Sequence, residues 1–103
     1  MNYEFKGEKG VWYIDHEESG QNEFGVLATA ISTNIGGAKI IGIAEVYGND
    51  DKAIANAQLI SCAPEMFEML NKIVVNWDFI NDGKHYNPDM EEARELLKKA
   101  TTI

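Results

Sequence analysis

A lone cysteine, Cys62, has no second thiol to pair with, so a disulfide-stapled secreted scaffold is excluded. Basic residues are scarce. Nine Lys and Arg stand against seventeen Asp and Glu, a formal charge of −8 at pH 7. Direct binding to a nucleic-acid phosphate backbone needs the opposite balance and is not expected. Long apolar runs are missing as well. The longest candidate, Ile40 to Val46, is broken by Gly42 and Glu45, well short of the roughly twenty residues needed to cross a bilayer. No membrane association is expected. The opening MNYEFKGEKG lacks the basic and then apolar order of a secretory signal, so the expected location is a reducing bacterial cytoplasm. With only two prolines and no low-complexity stretch, nothing reads as a linker.

What remains is an ordinary globular composition. Of 103 residues, 45% are hydrophobic and 25% charged, which fits one domain over 1–103. Up to about Tyr47 the chain is rich in Gly, Val, Ile, Thr and aromatics. Beyond Asp50 it is rich in Ala, Leu, Met, Glu and Lys. The first portion (1–48) favours strands and the second (50–103) favours helices. The predicted fold is α+β: an N-terminal antiparallel sheet of three to four strands, followed by two or three C-terminal helices packed on it.

In detail, short strands are predicted at Tyr3–Phe5 and Val11–His16, with a polar loop from Glu17 to Glu23. Phe24 to Thr33 and Lys39 to Tyr47 read as a hairpin joined by Asn34-Ile35-Gly36-Gly37, where Asn and Gly tolerate positive φ. Both faces of that hairpin are fairly apolar. A helix follows from Asp51 to Cys62, capped by Asn49 or Asp50, with Ala53, Ala55 and Ala57 allowing close approach to a sheet. Pro64 cannot continue the ladder and starts a second helix with the stripe Met66, Phe67, Leu70, Ile73, Val74, Trp77. Gly83 ends it. Asn87 caps a third helix with Pro88 at its first position and the stripe Met90, Ala93, Leu97, Ala100, widened by Leu96.

Few residues suggest chemistry. Asp15-His16-Glu17-Glu18 is the densest polar group, but neighbouring strand residues point to opposite faces and His85 is remote in sequence. A solvated strand end explains it better than a metal site. Cys62 reads as a small buried hydrophobe at a helix junction in preference to a reactive thiol. Gly36-Gly37 is no phosphate loop, because neither Lys-Ser/Thr nor a helix follows. Asn56, on the Ala-rich helix, is expected to be buried, and so to need a partner from a strand end, a ligand or a second subunit. Trp12 reads as core or interface, or as part of a groove together with Tyr13, Tyr47 and Tyr86.

The stretch ANAQLISCAPEMFEML, residues 55–70, resembles a motif, ANA-x-LI-x-x-AP-E-x-x-E-x-L, found in small uncharacterised tailed-bacteriophage and prophage proteins. Asn56, Ala57, Leu59, Ile60, Ala63, Pro64, Glu65 and Leu70 match it. Cys62 and Met66 depart from it conservatively. Ile43-Ala44-Glu45-Val46 is similar to a strand of the same proteins, and Lys9-Gly10-Val11-Trp12 to their start without its prolines. The resemblance implies a phage accessory protein and carries over no catalytic residue.

The expectation is therefore a non-enzymatic accessory protein that binds a host protein, in a counter-defence or regulatory role, and that forms a homo-oligomer. No cofactor or metal is expected. Trp12, Asn56, Pro64 and Glu65 are the nominated binding residues. Two alternatives are an oligomeric binder of a small ligand such as a nucleotide signal, and an acidic nucleic-acid mimic.

Overall fold

A computed structural model describes residues 3–36 and 39–102. Strands β1 (Trp12–Gln21), β2 (Leu27–Gly36) and β3 (Lys39–Tyr47) precede helices α1 (Asp51–Ser61), α2 (Ala63–Asn81) and α3 (Pro88–Thr101). The sheet is antiparallel in the order β1-β2-β3. This is the predicted α+β arrangement. The chain forms two compact units. One is Glu8–Pro64; the other combines residues 3–7 with 65–102.

In the first unit β2 is the central strand, and Ala28 to Thr33 are all buried. Helix α1 packs on the sheet and touches all three strands. It comes close because Ala53 and Ala57 are the residues it buries. Gly48 makes the turn from β3 into α1 at φ 88°, and its amide donates to the Leu27 carbonyl at 2.7 Å. A Cβ at this position would lie 3.4 Å from that of Ala53, so glycine serves both the backbone turn and the close approach. Of the two candidate caps, Asp50 is the one used. Its carboxylate accepts the Ala53 amide at 2.9 Å.

Several boundaries differ from the sequence reading. Tyr3–Phe5 is not a strand. The Tyr3 amide donates to Asn71 Oδ1 at 3.2 Å, and Asn71 Nδ2 donates to the Tyr3 carbonyl at 3.1 Å. A side-chain amide on α2 thus does what a neighbouring strand would have done. The predicted loop Glu17–Glu23 is strand as far as Gln21. Asp15 faces Ala30 and Gly20 faces Ala28, so residues 16–19 arch over the single residue Thr29. β2 starts three residues later than expected, at Leu27. The side chain of Asn22 accepts the Phe24 and Val26 amides at 2.9 and 3.1 Å, which ties 22–26 into a turn. Asn34 to Gly36 continue β2, with Gly36 opposite Lys39. Gly37, the last residue of the predicted hairpin connection, lies outside the described residues.

The second unit is a helical hairpin closed by the N-terminal segment. Val74, Ala93 and Leu97 form its buried core, flanked by Tyr3, Phe67, Leu70 and Met90. The Phe5 and Phe67 rings meet at 5.9 Å, tilted by 49°. Val74 packs with Leu97, and Asp78, one turn on, pairs with Arg94, one turn back, so α2 and α3 run antiparallel. Asn87 caps α3 by accepting the Asp89 amide at 3.0 Å, with Pro88 in the first turn as predicted.

Candidate functional site

Two of the nominated residues lie where the sequence did not place them, or lack the company expected. Asn56 is exposed, because Ala53 and Ala57 occupy the sheet-facing side of α1 and Asn56 falls on the other side. Trp12 is half-buried at the start of β1, and its indole N–H donates to the Glu8 carbonyl at 3.1 Å, a local bond within the first unit. Pro64 is half-buried and Glu65 exposed in the first turn of α2. None of the four lines the grooves described below. Cys62 is exposed as well. It caps α1, its amide donating to the Gln58 and Leu59 carbonyls at 3.2 Å, so it is not the buried hydrophobe expected.

Among the described residues of the first unit, two grooves carry polar side chains. One, of about 290 Å³, is lined by Ile14, His16, Ser19, Gly20, Thr29, Asn49 and Ile54. The other, of about 540 Å³, has Ala30, Ser32, Gly42 and Ala44 among its lining and carries Asp15, Glu17, Glu18 and Glu45. Of the acidic quartet, only Asp15 is buried. Its Oδ1 accepts the amides of Glu17 and Glu18 at 3.1 and 3.2 Å, which offsets the loss of water around the carboxylate. Among the described residues no group of three or more His, Cys, Asp or Glu side chains could hold a metal ion.

The second unit presents a groove of another kind. Met66, Phe67, Met69, Leu70, Ile73, Leu96, Leu97 and Ala100 line about 490 Å³ of space along α2 and α3. Every lining residue is apolar. Met66, Met69 and Leu96 are each more than half exposed. The cause lies in the stripe itself: Met66, Met69, Leu70 and Ile73 follow the helical repeat but spread beyond what one neighbouring helix covers. Val74 faces α3 and is fully buried, whereas Ile73 beside it is not. Leu96 repeats this on α3, next to buried Leu97. Met69 was the residue missed in the sequence. Its position three after Met66 and four before Ile73 is the signal that could have found it.

Beyond the groove, Arg94 pairs with Asp78 and Glu91 and fixes α3 against α2. The hydrogen bond to Asp78, helped by the charges of Asp78 and Glu91, holds the guanidinium pKa above its ordinary value. Among the described residues no helix is long and apolar enough to cross a membrane.

The fold and its surface define a small α+β protein with an open apolar groove on a helical hairpin. Over residues 1–102 the chain matches the family described as Salmonella phage P22 protein Y8K6, and it belongs to that family. The resemblance to small phage proteins read from residues 55–70 agrees with this. No curated protein and no solved structure matches the chain.

Proposed function

We propose that this phage-family protein is a non-enzymatic accessory protein that binds a host protein in the bacterial cytoplasm. The groove along α2 and α3 carries this reading. A wholly apolar, solvent-open channel lined by methionine and leucine matches the way amphipathic helices are received: one apolar face laid into a groove, with anchors one turn apart. Methionine adapts its shape to an incoming side chain at little cost. The occupant we assign is therefore a helix with an apolar stripe and basic flanks, since a chain of charge −8 attracts a basic partner and speeds the encounter.

A photo-crosslinking residue placed at Leu96, compared with one at Asn56, tests this in a bacterial lysate. A discrete crosslinked species is expected from position 96 and not from 56. Equal labelling at both positions, or none at 96, contradicts it. A partner that crosslinks only from Glu17 or Glu45 and is released by added DNA supports the nucleic-acid-mimic reading instead.

A further inference from the structure

The larger groove of the first unit lies on the sheet face turned away from α1. Thr29 shares a groove with Ile54 of α1, whereas Ala30 and Ser32, on the alternate face of β2, line the other one. Strand pairing fixes the layout. Asp15, Ala30 and Glu45 form one row across β1, β2 and β3, and Tyr13, Ser32 and Gly42 form the next. Paired residues project to the same side, so Asp15 and Glu45 stand on either flank of the small Ala30. Two strand spacings, about 10 Å, separate their backbones. Glu17 and Glu18, on the arch of β1, add to the Asp15 flank. Gly42 keeps the floor low, because a Cβ built there would meet nothing within 4 Å.

Two buried side chains turn toward this space with bonding capacity unused. Ser32 is 2% exposed, and its hydroxyl has no hydrogen-bond partner among the described residues. No unpartnered side-chain oxygen there is fully enclosed, so the little surface that Ser32 keeps includes its hydroxyl, open to the groove it lines. Asp15 is 7% exposed. Its Oδ1 takes the Glu17 and Glu18 amides, while Oδ2 takes no donor and opens on the groove for the same reason. Glu45 accepts Asn22 Nδ2 on Oε2 at 3.2 Å and keeps Oε1. Nearly buried acceptors of this kind call for a donor.

The chemistry of that donor is narrow. Carboxylates repel phosphates and other anions. No three of these groups converge as a metal ion needs. No aromatic ring lines the groove, so it does not suit a quaternary ammonium, which is held by aromatic faces. What fits is an N–H-bearing cation at each flank, joined by an aliphatic segment over Ala30 and Gly42. We propose that this groove binds a linear aliphatic diamine or polyamine, with one ammonium group at Asp15 and Ser32 and another at Glu45. An alkyl chain of about four or five carbons, with hydrogen bonds of about 2.8 Å at its ends, covers the separation. The acidic chain raises the local concentration of such cations.

Isothermal titration calorimetry of the full chain with putrescine and spermidine at low ionic strength tests the proposal. One saturable site is expected for each. Butylamine, which carries a single ammonium group, is expected to bind roughly tenfold more weakly than putrescine, and Ser32→Ala and Glu45→Gln are each expected to weaken putrescine by a similar factor. Gly42→Leu fills the floor and is expected to abolish binding while its thermal unfolding midpoint does not fall, which separates a blocked groove from misfolding. Magnesium, which has the charge of putrescine, is expected not to displace it at equal concentration. Absence of binding by both amines overturns the proposal. So does butylamine binding as tightly as putrescine. Binding that these three variants leave unchanged, or that equimolar magnesium displaces, also overturns it, because it would come from the diffuse ion cloud of an acidic chain.

Discussion

Ser19 and Ala30 are joined by a bond that a backbone carbonyl would ordinarily make. The Ala30 amide donates to Ser19 Oγ at 2.9 Å, and the same hydroxyl donates to the Asp15 carbonyl at 2.6 Å. Where residues 16–19 arch out of register, one side chain thus bridges the gap in the ladder, so the buried central strand keeps its donor satisfied. Ser19→Ala leaves the Ala30 amide without that acceptor. A loss of about 1–3 kcal/mol is expected in chemical denaturation, with Ser19→Thr recovering most of it.

Leu97 and Leu96 are neighbours with opposite roles. Leu97 is 1% exposed in the helical core, whereas Leu96 is 59% exposed on the groove. Leu97→Ala is expected to cost about 2–5 kcal/mol. Leu96→Ala is expected to stay within about 0.5 kcal/mol of the unaltered protein. Thermal or urea unfolding of the two variants checks the contrast.

Asn71 holds the N-terminal segment by bonding both the amide and the carbonyl of Tyr3. Asn71→Ala removes both bonds, and about 1–2 kcal/mol should be lost. Amide exchange at Tyr3 is expected to speed up while exchange in β2 stays unchanged. Faster exchange in β2 as well contradicts a local tether.

Arg94 bonds Asp78 and Glu91 from a partly exposed position. Its pKa is raised, so the arginine's share of stability is complete below the ordinary arginine value and is lost only on rising through the shifted one. From the arginine side no change with pH is expected near neutrality. Arg94→Met is expected to lower the unfolding midpoint slightly, and added salt should shrink the difference between the two proteins.

The order of strands and helices was legible in the sequence because local signals agreed. Asn87 and Pro88 marked one helix start, and Asp50 another. Pro64 separated α1 from α2 near where the break occurs, with α2 beginning one residue earlier, at Ala63. What was not legible depends on side chains replacing backbone partners. The Ser19 hydroxyl and the Asn71 amide both do so, and neither leaves a periodic trace. Asn56 was misplaced because an alanine-rich helix has two plausible buried sides, and it is Ala53 and Ala57 that take the sheet. The groove was half legible: the stripes were visible, but their excess width over a single neighbouring helix was not.

Capture of partners from a bacterial lysate, comparing the unaltered protein with Leu96→Glu, tests the binding account most directly. The account predicts a partner held by the first and lost by the second, with both proteins unfolding at similar temperatures. Identical sets of captured proteins on the two contradict it.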